Sequence, residues 1–340
     1  MVLVSVIMSV YNTPLEYLRE AVASILKQTY KNLEFVIVDD GSSDNDVIDY
    51  LNKLPTLDNR VKLIKNITNI GLTKSLNIAI ENSHGKYLAR MDADDISLPN
   101  RIEEQVKYME DNPQICQTGT AILVVSKDEI ILDTSKQKDH LSNQKVCDIR
   151  LLFENTGYAH SSFMLRKSFL DEYGIRYRED IKKAQDYALT TDCILAGGKR
   201  HLINEPLLKY RVHEGQITSS SYSEQVECQA ITAHRRLYAT FESLNDEECW
   251  AIARLNHERQ DYSSKVHIDA IRKIIEENNK KQLFDAKMLK EEFYYEWYRK
   301  IMRISRINGK PWGMFHLFNF RVVPTVVKIK YENYLANKSR

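Results

Sequence analysis

The amino-acid sequence predicts an α/β protein built around a mostly parallel β-sheet. Over the first hundred residues, short apolar runs rich in β-branched side chains alternate with amphipathic segments. This alternation is typical of parallel strands joined by crossover helices. Clusters of polar residues follow four of the apolar runs. The 340 residues are 43% hydrophobic and 28% charged, which is an ordinary globular composition with enough chain to bury a full core.

The first predicted strand covers residues 2–10, an almost continuous apolar run of the kind that is buried on both faces of a parallel sheet. A helix is predicted directly after it. Thr13 is a good N-cap residue, Pro14 suits the first helical position, and Glu16 stands three residues after Thr13. The sequence therefore predicts a capping box at the start of this helix.

Three further strands are predicted at residues 33–38, 61–64 and 87–89, with a helix after the third. In open parallel sheets, ligands bind beyond the carboxyl ends of the strands. We therefore expect the polar clusters that follow the four strands to converge on one site: Tyr11 and Asn12, Asp39 and Asp40, Asn69 to Gly71, and Asp92 to Asp95.

The pattern continues to about residue 221 and then changes. The predicted elements are a helix from Pro99 to Asp111, apolar strands at 115–125, 159–166 and 207–213, a polar loop over the sheet edge at 126–145, and a helix from Gln185 to Gly197. After about Tyr222, long charged segments carry apolar residues at helical spacing. These segments predict a helical C-terminal region.

The three aspartates at the end of the fourth strand are the strongest local signal. Carboxylates crowded together repel one another and lose hydration, so a bound cation is one way to hold them. In extended backbone, Asp92 and Asp94 share a face. Mg²⁺ or Mn²⁺ would fit such a pair, with water and phosphate oxygens as the other ligands. The alternative is that the aspartates only cap the next helix, but the convergence of four strand ends favours a metal.

Several classes of protein are disfavoured. Neither a G-x-G-x-x-G after the first strand nor a G-x-x-x-x-G-K-[ST] loop is present, which argues against a dinucleotide dehydrogenase and a P-loop enzyme. Five scattered cysteines without C-x-x-C spacing indicate a reducing compartment and no zinc or disulfide framework. The formal net charge of +1 offers no strong field for nucleic acid.

The C-terminal tail at 299–340 is basic. It holds ten basic residues and one acid, which leaves 38 basic and 46 acidic residues in the rest of the chain. Such a tail suits an anionic membrane surface, or equally a helix packed on the body with its basic side in water. Six aromatic residues lie in or beside the tail: Trp297, Tyr298, Trp312, Phe315, Phe318 and Phe320.

No apolar run approaches the roughly 20 residues that span a bilayer. The first residues also lack the pattern of a secretory signal. We therefore expect a cytoplasmic protein that is peripheral on the inner face of the cytoplasmic membrane.

Four segments together resemble family 2 glycosyltransferases with the GT-A fold. They are VIMSVYN at 6–12, SILKQT at 24–29, VDDGSSD at 38–44 and ARMDADD at 89–95. Two later segments, QDY at 185–187 and YRVHEGQ at 210–216, are similar to bacterial members of this family. Those members extend lipooligosaccharide and O-antigen chains by β-1,3-linked N-acetylglucosamine, N-acetylgalactosamine or galactose. The resemblance covers roughly residues 4–221.

The resemblance implies an inverting, metal-dependent transferase that moves a sugar from a UDP-sugar to a hydroxyl of a surface glycan, which is lipid-linked. UDP-GlcNAc is the first candidate donor, with UDP-GalNAc or UDP-Gal as alternatives. It also implies a GT-A catalytic domain at 1–221, with a nucleotide-sugar-binding half at 1–115 and an acceptor-binding half at 116–221. The helical region then covers 222–340.

The resemblance also implies roles for individual residues. Asp186 would be the general base, Asp40 with Asp39 beside it would accept a hydrogen bond from uracil, and His160 and Gln185 would face the acceptor. The metal would be Mn²⁺ or Mg²⁺ on Asp92, Asp94 and His213. The nucleotide-sugar would contact Val10, Tyr11, Asn12, Asp39, Asp40, Gly71, Lys74, Arg90, Asp92, Ala93 and Asp95.

Structural alternatives remain open for several of these residues. Asp186 could cap its own helix, and the Glu-Asp pair usual in the family is Gln185-Asp186 here. His213 could bond to backbone at a strand end, and His160 could be a satisfied core histidine. Two other functions also remain: a sugar nucleotidyltransferase, which would need a Gly-rich activating loop after the first strand, and a non-catalytic glycan-binding module, which would need no base.

Overall fold

The computed structural model describes residues 1–126, 129–134, 143–156, 158–213, 222–257 and 262–307, without the side chains of Tyr222 and residues 305–307. The chain divides into two compact units. The first contains the described residues of 1–142 and 157–222, and the second those of 143–156 and 223–307. Residues 143–156, which the sequence analysis placed in the catalytic domain, thus cluster with the C-terminal helices.

The first unit is built on one sheet. Its strands are β1 (Val4–Val10), β2 (Leu33–Asp39), β3 (Val61–Lys65), β4 (Tyr87–Arg90), β5 (Ile96–Ser97), β6 (Ile115–Ser126), β7 (Glu129–Asp133), β8 (Met164–Arg166) and β9 (Lys199–Arg211). The order across the sheet is β3-β2-β1-β4-β8-β6-β9-β5, with β7 beside β6. Parallel pairing joins β3, β2, β1 and β4, and also the long pair β6 and β9.

The helices of the first unit are α1 (Leu15–Leu26), α2 (Asn45–Leu57), α3 (Leu72–Glu81), α4 (Arg101–Asp111), α6 (Lys167–Glu172) and α7 (Gln185–Leu195). Those of the second unit are α5 (Gln144–Arg150), α8 (Tyr222–Thr240), α9 (Asp246–Ala253), α10 (Ser264–Lys281) and α11 (Ala286–Ile307). The predicted fold class, an α/β sheet followed by a helical region, is confirmed.

The core of the first unit lies on both faces of the sheet. Successive residues of a strand point to opposite faces, and β1 follows this rule. Val6 and Met8 pack in one apolar cluster with Leu18 of α1, whereas Ile7 packs in another with Leu76 of α3. All five side chains are buried. The continuous apolar run of β1 is therefore explained by helices on both sides.

Three local predictions are wrong in whole or in part. The N-cap of α1 is Pro14, with no side-chain cap, so the capping box with Thr13 and Glu16 does not form. The segment 126–145 is not wholly a loop, because β7 pairs antiparallel with the end of β6. The predicted strand 159–166 is a 3₁₀ turn at His160–Ser162 followed by β8.

In the second unit, a buried arginine joins α5 to α11. Arg150 forms ion pairs with Glu154, with Glu292 at 3.1 Å and with Glu296 at 3.2 Å. Glu296 is fully buried, and Arg299 also pairs with it. Removing one partner of such a network leaves an uncompensated buried charge, which is strongly destabilising.

The described start of the basic tail lies inside this unit. Trp297 is buried rather than exposed to a membrane. Lys300 is also buried, and its ammonium donates to the carbonyls of Arg254 and His257 at 3.0 and 2.9 Å. The rest of the predicted membrane-binding tail, residues 308–340, lies outside the described residues. Among the helices that are described, none has the length and apolar character needed to cross a bilayer.

All five cysteines are free and buried. This agrees with the expectation that they form no disulfide framework.

A histidine in α10 makes the stability of the second unit depend on pH. Burial lowers the pKa of His267 to about 4, whereas in an unfolded chain histidine titrates near pH 6.5. Between these values the unfolded chain binds a proton that the folded chain does not. The stabilisation is complete above pH 6.5 and is lost as pH falls from 6.5 to 4, by up to about 3 kcal/mol.

Urea unfolding at pH 7.5 and 5.0 checks this, followed by tryptophan fluorescence, because all three tryptophans lie after residue 222. His267→Gln is expected to reduce the difference between the two pH values. His84→Gln, at an exposed histidine of the first unit, is the matched control. An unchanged pH dependence in His267→Gln would contradict the assignment.

Candidate active site

Two aspartates stand at the carboxyl end of β2, and both are buried. The Asp40 carboxylate accepts three hydrogen bonds from the loop before α3: from Asn66 Nδ2 at 2.8 Å, and from the backbone N–H groups of Ile70 and Gly71 at 2.9 Å each. Hydrogen bonds to a charged group contribute roughly 1.5–3 kcal/mol each. Asp40 therefore fixes the loop that leads into α3.

The neighbouring carboxylate, Asp39, accepts fewer hydrogen bonds from the described residues. Asp39 accepts one hydrogen bond from the described residues through Oδ1, from the backbone N–H of Ser42 at 3.0 Å. The sequence analysis gave the uracil contact to Asp40 with Asp39 beside it. In the structure, the Asp40 carboxylate is occupied by hydrogen bonds from the loop before α3. Asp39, at the carboxyl end of β2, can still accept further hydrogen bonds.

The turn after β1 lies beside β2. Asn12 adopts a left-handed backbone conformation with φ of 48°, which asparagine tolerates better than most residues. Its side-chain oxygen accepts from the backbone N–H of Ser43 at 2.8 Å. Asn12 thus joins the ends of β1 and β2, while Tyr11 is 51% exposed and free to stack on a flat ligand.

The remaining predicted nucleotide contacts occupy different environments. Gly71 caps α3 with φ of 94°, a conformation that favours glycine. Lys74, in the first turn of α3, is half-exposed and lies 3.8 Å from Glu179. Val10 and Ala93 are buried, and the carbonyl of Val10 accepts from the backbone N–H of Asp40 at 2.8 Å.

The aspartate loop follows β4. Asp92 is partly exposed, and its carboxylate lies 2.5 Å from a guanidinium nitrogen of Arg90. Arg90 is buried, and its Nε and Nη1 have no hydrogen-bond partner among the described residues. Desolvation raises the pKa of the Asp92 carboxyl, the Arg90 charge lowers it, and repulsion from Asp94 and Asp186 raises it again.

Asp95 points away from its two neighbours into the protein. It is buried, and its Oδ1 accepts from the backbone N–H of Arg211 at 2.9 Å. Burial raises the pKa of Asp95 well above its ordinary value, and the charges of Asp92 and Asp94 add to this effect. The sequence analysis expected Asp95 near the sugar, but its side chain ties the aspartate loop to the end of β9.

Asp94 and His213 form a partly exposed pair within the cluster. His213 Nε2 lies 3.0 Å from Asp94 Oδ2, and both side chains are partly exposed, by 19% and 26% respectively. His213 stands two residues beyond the end of β9, so the pairing of β9 with β5 and β6 brings it to the aspartate loop. The structure thus joins two of the three predicted metal ligands directly.

Asp186 comes to the same place from α7. It is the second residue of the helix, whose N-cap is Ala184, so Asp186 is not the N-cap. Its charge acts on both Asp92 and the buried Tyr177. Ala184 has φ of 54°, a left-handed conformation that costs a non-glycine residue roughly 1–2 kcal/mol. Local backbone strain of this kind clusters at functional sites.

His160 lies in the 3₁₀ turn before β8 and is half-buried. Its Nε2 is 2.7 Å from the hydroxyl of Tyr177, and its ring packs edge-on against Phe163. Burial lowers the pKa of His160 well below its ordinary value, and the charge of Arg90 adds to this effect. His160 is therefore a neutral hydrogen-bonded residue behind Tyr177, and Gln185 opens α7 beside Asp186.

The side chains of this site include oxygen and nitrogen donors that a divalent cation could use. Across the described residues, no group of three or more His, Cys, Asp and Glu side chains is already arranged around one point. Asp94 and His213 nevertheless offer a carboxylate and an imidazole at an accessible position, and these donors suit Mn²⁺. Because Mg²⁺ and Mn²⁺ sites commonly take further ligands from substrate phosphates, the donors fit a metal that binds together with a diphosphate.

Sequence reasoning missed two arginines that hold the backbone next to the carboxylates. Arg101 of α4 is buried and donates to the backbone carbonyl of Arg90 at 2.7 Å. Arg211 donates through Nε to the backbone carbonyl of Asp94 at 2.9 Å. One signal was available, since Arg101 falls on the apolar face of its helix with Ile102 and Met109. The charge of Arg101 also interacts with the carboxylates of Asp95 and Asp92.

The fold and the site define a class of protein: an α/β protein with a polar, carboxylate-rich site at the carboxyl ends of parallel strands, where such sheets bind their ligands. Comparison with known proteins agrees. Residues 5–174 match the family model described as glycosyl transferase family 2.

Relatives of known name point the same way. The chain is 36% identical over 231 residues to an uncharacterized glycosyltransferase of Haemophilus influenzae, covering 66% of this chain and 69% of that protein. It is 28% identical over 253 residues to the Escherichia coli UDP-Glc:alpha-D-GlcNAc-diphosphoundecaprenol beta-1,3-glucosyltransferase WfaP, covering 71% and 92% of the two chains.

A solved structure shares the fold. S. aureus TarS 1–349 in complex with UDP-GlcNAc superposes with a TM-score of 0.60 at 18% identity, covering 90% of this chain and 92% of that one. The chain belongs to glycosyl transferase family 2, has a GT-A-like fold and is a glycosyltransferase.

Proposed function

We propose that this protein transfers a hexose or N-acetylhexosamine from a UDP-sugar to a hydroxyl of a lipid-linked bacterial surface glycan, with inversion at the anomeric carbon. The observation that carries the proposal is that three carboxylates from two distant parts of the chain interact: the charges of Asp94 and Asp186 both raise the pKa of Asp92, which follows β4 at the carboxyl end of the sheet. A binding module has no need of the third carboxylate, which a transferase uses as a base.

The proposed chemistry is a single displacement. Asp186 takes the proton of the acceptor hydroxyl as the oxygen attacks the anomeric carbon, and the bond from that carbon to the β-phosphate oxygen breaks so that UDP leaves from the opposite face. A divalent cation on Asp94 and His213, with Asp92 as a further candidate ligand, would stabilise the charge that develops on the leaving diphosphate.

The protein's own side chains take the other roles. Tyr11 stacks on the uracil, and Asp39 accepts a hydrogen bond from it. Lys74 approaches the phosphates from the start of α3. Arg90 holds Asp92 in place and adds positive charge below the site. His160 and Gln185 lie on the acceptor side near Asp186.

The choice of donor and acceptor draws on the relatives. One structural neighbour is described with UDP-GlcNAc, which supports UDP-GlcNAc as the first donor to test, with UDP-GalNAc and UDP-Gal as alternatives. The name of the E. coli relative specifies a UDP-sugar donor and a diphosphoundecaprenol-linked acceptor. That name supports a polyprenyl-diphosphate-linked sugar as the acceptor class, at the inner face of the cytoplasmic membrane.

The test is a UDP-release assay with Mn²⁺ and a panel of UDP-sugars, including UDP-Glc, with and without a polyprenyl-diphosphate-linked N-acetylglucosamine. One donor is expected to give slow hydrolysis alone and faster UDP release with acceptor. Binding of every UDP-sugar without turnover or hydrolysis would favour a non-catalytic nucleotide-sugar-binding module instead.

Recognition of the uracil base is tested by replacing, one at a time, the two aspartates at the carboxyl end of β2. Asp39→Asn is expected to weaken UDP binding by up to about tenfold, with little change in the unfolding temperature. The uracil N–H then donates to a neutral amide oxygen, and the larger contribution of a charged acceptor, roughly 1.5–3 kcal/mol per hydrogen bond, is lost. Asp40→Asn is expected to lower the unfolding temperature, because the loop before α3 loses its carboxylate acceptor. Calorimetric titration with UDP and thermal unfolding measure both effects.

Equal UDP affinity in Asp39→Asn and the parent protein would exclude Asp39 from base recognition. Titration with CDP shows whether the change has altered the choice of base.

A further inference from the structure

The end of β9 is held to the aspartate loop from several directions. The backbone N–H of Arg211 donates to Asp95 Oδ1, and its Nε donates to the backbone carbonyl of Asp94, both at 2.9 Å. The other end of the guanidinium forms an ion pair with Glu20 of α1. Arg211 itself is 5% exposed. A helix that is distant in sequence is thereby joined to the loop that carries Asp94.

A second residue of α1 extends this contact to His213. The guanidinium carbon of Arg211 lies 4.3 Å from the centroid of the Tyr17 ring, within the range of a cation–π interaction. The Tyr17 ring also lies against the imidazole of His213, with centroids 5.3 Å apart. Tyr17 and Glu20 are three residues apart, so they share a face of α1.

We propose that Tyr17, Glu20 and Arg211 form a clamp of positioning residues that holds His213 and Asp94 in the geometry needed to bind the metal and the diphosphate. This inference rests on the proposed function. His213 lies two residues beyond the end of β9, and its imidazole contacts the side chains of Asp94 and Tyr17. Residues that orient a ligand side chain typically change metal affinity or activity by about 10–100-fold when they are altered.

The clamp also connects the two ends of the nucleotide site. The helix α1 begins three residues after Asn12, which ties the turns beyond β1 and β2 together. The uracil end depends on those turns, and the diphosphate end depends on Tyr17 and Glu20. Loss of the clamp should therefore weaken ligands that carry a diphosphate and spare ligands that carry only the base and ribose.

The experiment compares two ligands across matched variants. Affinity for UDP with Mn²⁺ is measured by calorimetric titration, and uridine binding by saturation-transfer NMR. Tyr17→Ala is expected to weaken Mn²⁺–UDP binding about tenfold and Glu20→Gln by a smaller factor, with uridine binding unchanged in both. Tyr17→Phe keeps the ring and is expected to restore the Mn²⁺–UDP affinity that Tyr17→Ala loses.

Tyr50→Ala is the matched control, because Tyr50 lies under another arginine of α1, Arg19, at 5.6 Å. Tyr50 is a residue of α2. Tyr50→Ala therefore also removes a tyrosine ring from a cation–π contact, but the arginine in that contact is Arg19 and not Arg211. We expect this variant to lower the unfolding temperature as much as Tyr17→Ala does, without weakening Mn²⁺–UDP binding.

The outcomes separate the clamp from the proposed function. If the parent protein binds Mn²⁺–UDP and Tyr17→Ala binds it equally well, the clamp is wrong and the proposed function stands. If Tyr17→Ala loses uridine and UDP alike, Tyr17 supports the fold rather than the diphosphate site, and the clamp is again wrong. If the parent protein does not bind UDP with or without Mn²⁺, both proposals fail.

Discussion

Replacing Asp186 by asparagine is expected to lower kcat by about 10³-fold, since general acid–base catalysis typically contributes about 10²–10⁴-fold. Asparagine has nearly the shape of aspartate but cannot take the proton of the acceptor hydroxyl. Asp186 lies in the first turn of α7, where its charge raises the pKa of Asp92, and none of its proposed contacts is with the nucleotide. Affinity for UDP is therefore expected to stay within about twofold of the parent value, because the proposed base acts in the transition state.

The matched control is Asp192→Asn, which changes a carboxylate of the same helix that pairs with Arg178 at 2.9 Å. We expect this variant to keep its kcat, with at most a small loss of stability. UDP release under saturating donor and acceptor measures kcat, and thermal shift with UDP measures binding. Parent-like turnover in Asp186→Asn would refute the proposed mechanism and leave the family assignment intact.

Replacing Asp94 by alanine is expected to remove most metal-dependent binding and to lower kcat/KM by about 100-fold or more, as the loss of a ligand or its support does at metal sites. Asp94 is the partly exposed member of the cluster that pairs with His213. His213→Ala removes the partner and not the carboxylate, so a smaller loss of about tenfold is expected.

Metal removal provides an independent measurement. The parent protein treated with EDTA should lose the thermal stabilisation by UDP and recover it with Mn²⁺, whereas Asp94→Ala should show little response to the metal. Asp111→Ala, at an exposed carboxylate that ends α4, controls for the change of net charge. Full activity of the parent protein in EDTA would exclude a metal and with it the proposed ligand roles of Asp94 and His213.

The positions of the first strands along the chain could be predicted from the sequence, because strands buried on both faces of a sheet need continuous apolar runs. The runs at residues 2–10 and 33–38 became β1 and β2 within two residues at each end. The capping box at Thr13 was not predictable in the same way. Caps are worth only about 1 kcal/mol, so packing of the turn after β1 can override them.

The chemical character of the site was also present in the sequence. The sequence shows aspartates after β2 and β4 and Asp186 at the start of α7. Their common role can be inferred only if the ends of these elements converge on one site. Pattern and resemblance were enough to name them. They were not enough to assign the loop contact to Asp40 and the proposed uracil contact to Asp39. That assignment depends on where the backbone N–H groups of Ile70 and Gly71 point.

The sequence by itself thus determined the fold class, the family and the carboxylates available for chemistry, since these follow from local periodicity and from residue type. Only the tertiary structure decided which side chains from distant parts of the chain contact the aspartate loop. Arg101 and Arg211 lie 10 and 120 residues beyond Met91, yet both contact the backbone of the aspartate loop or of the residue before it. Electrostatic interaction depends on distance and burial, and neither can be read from separation along the chain.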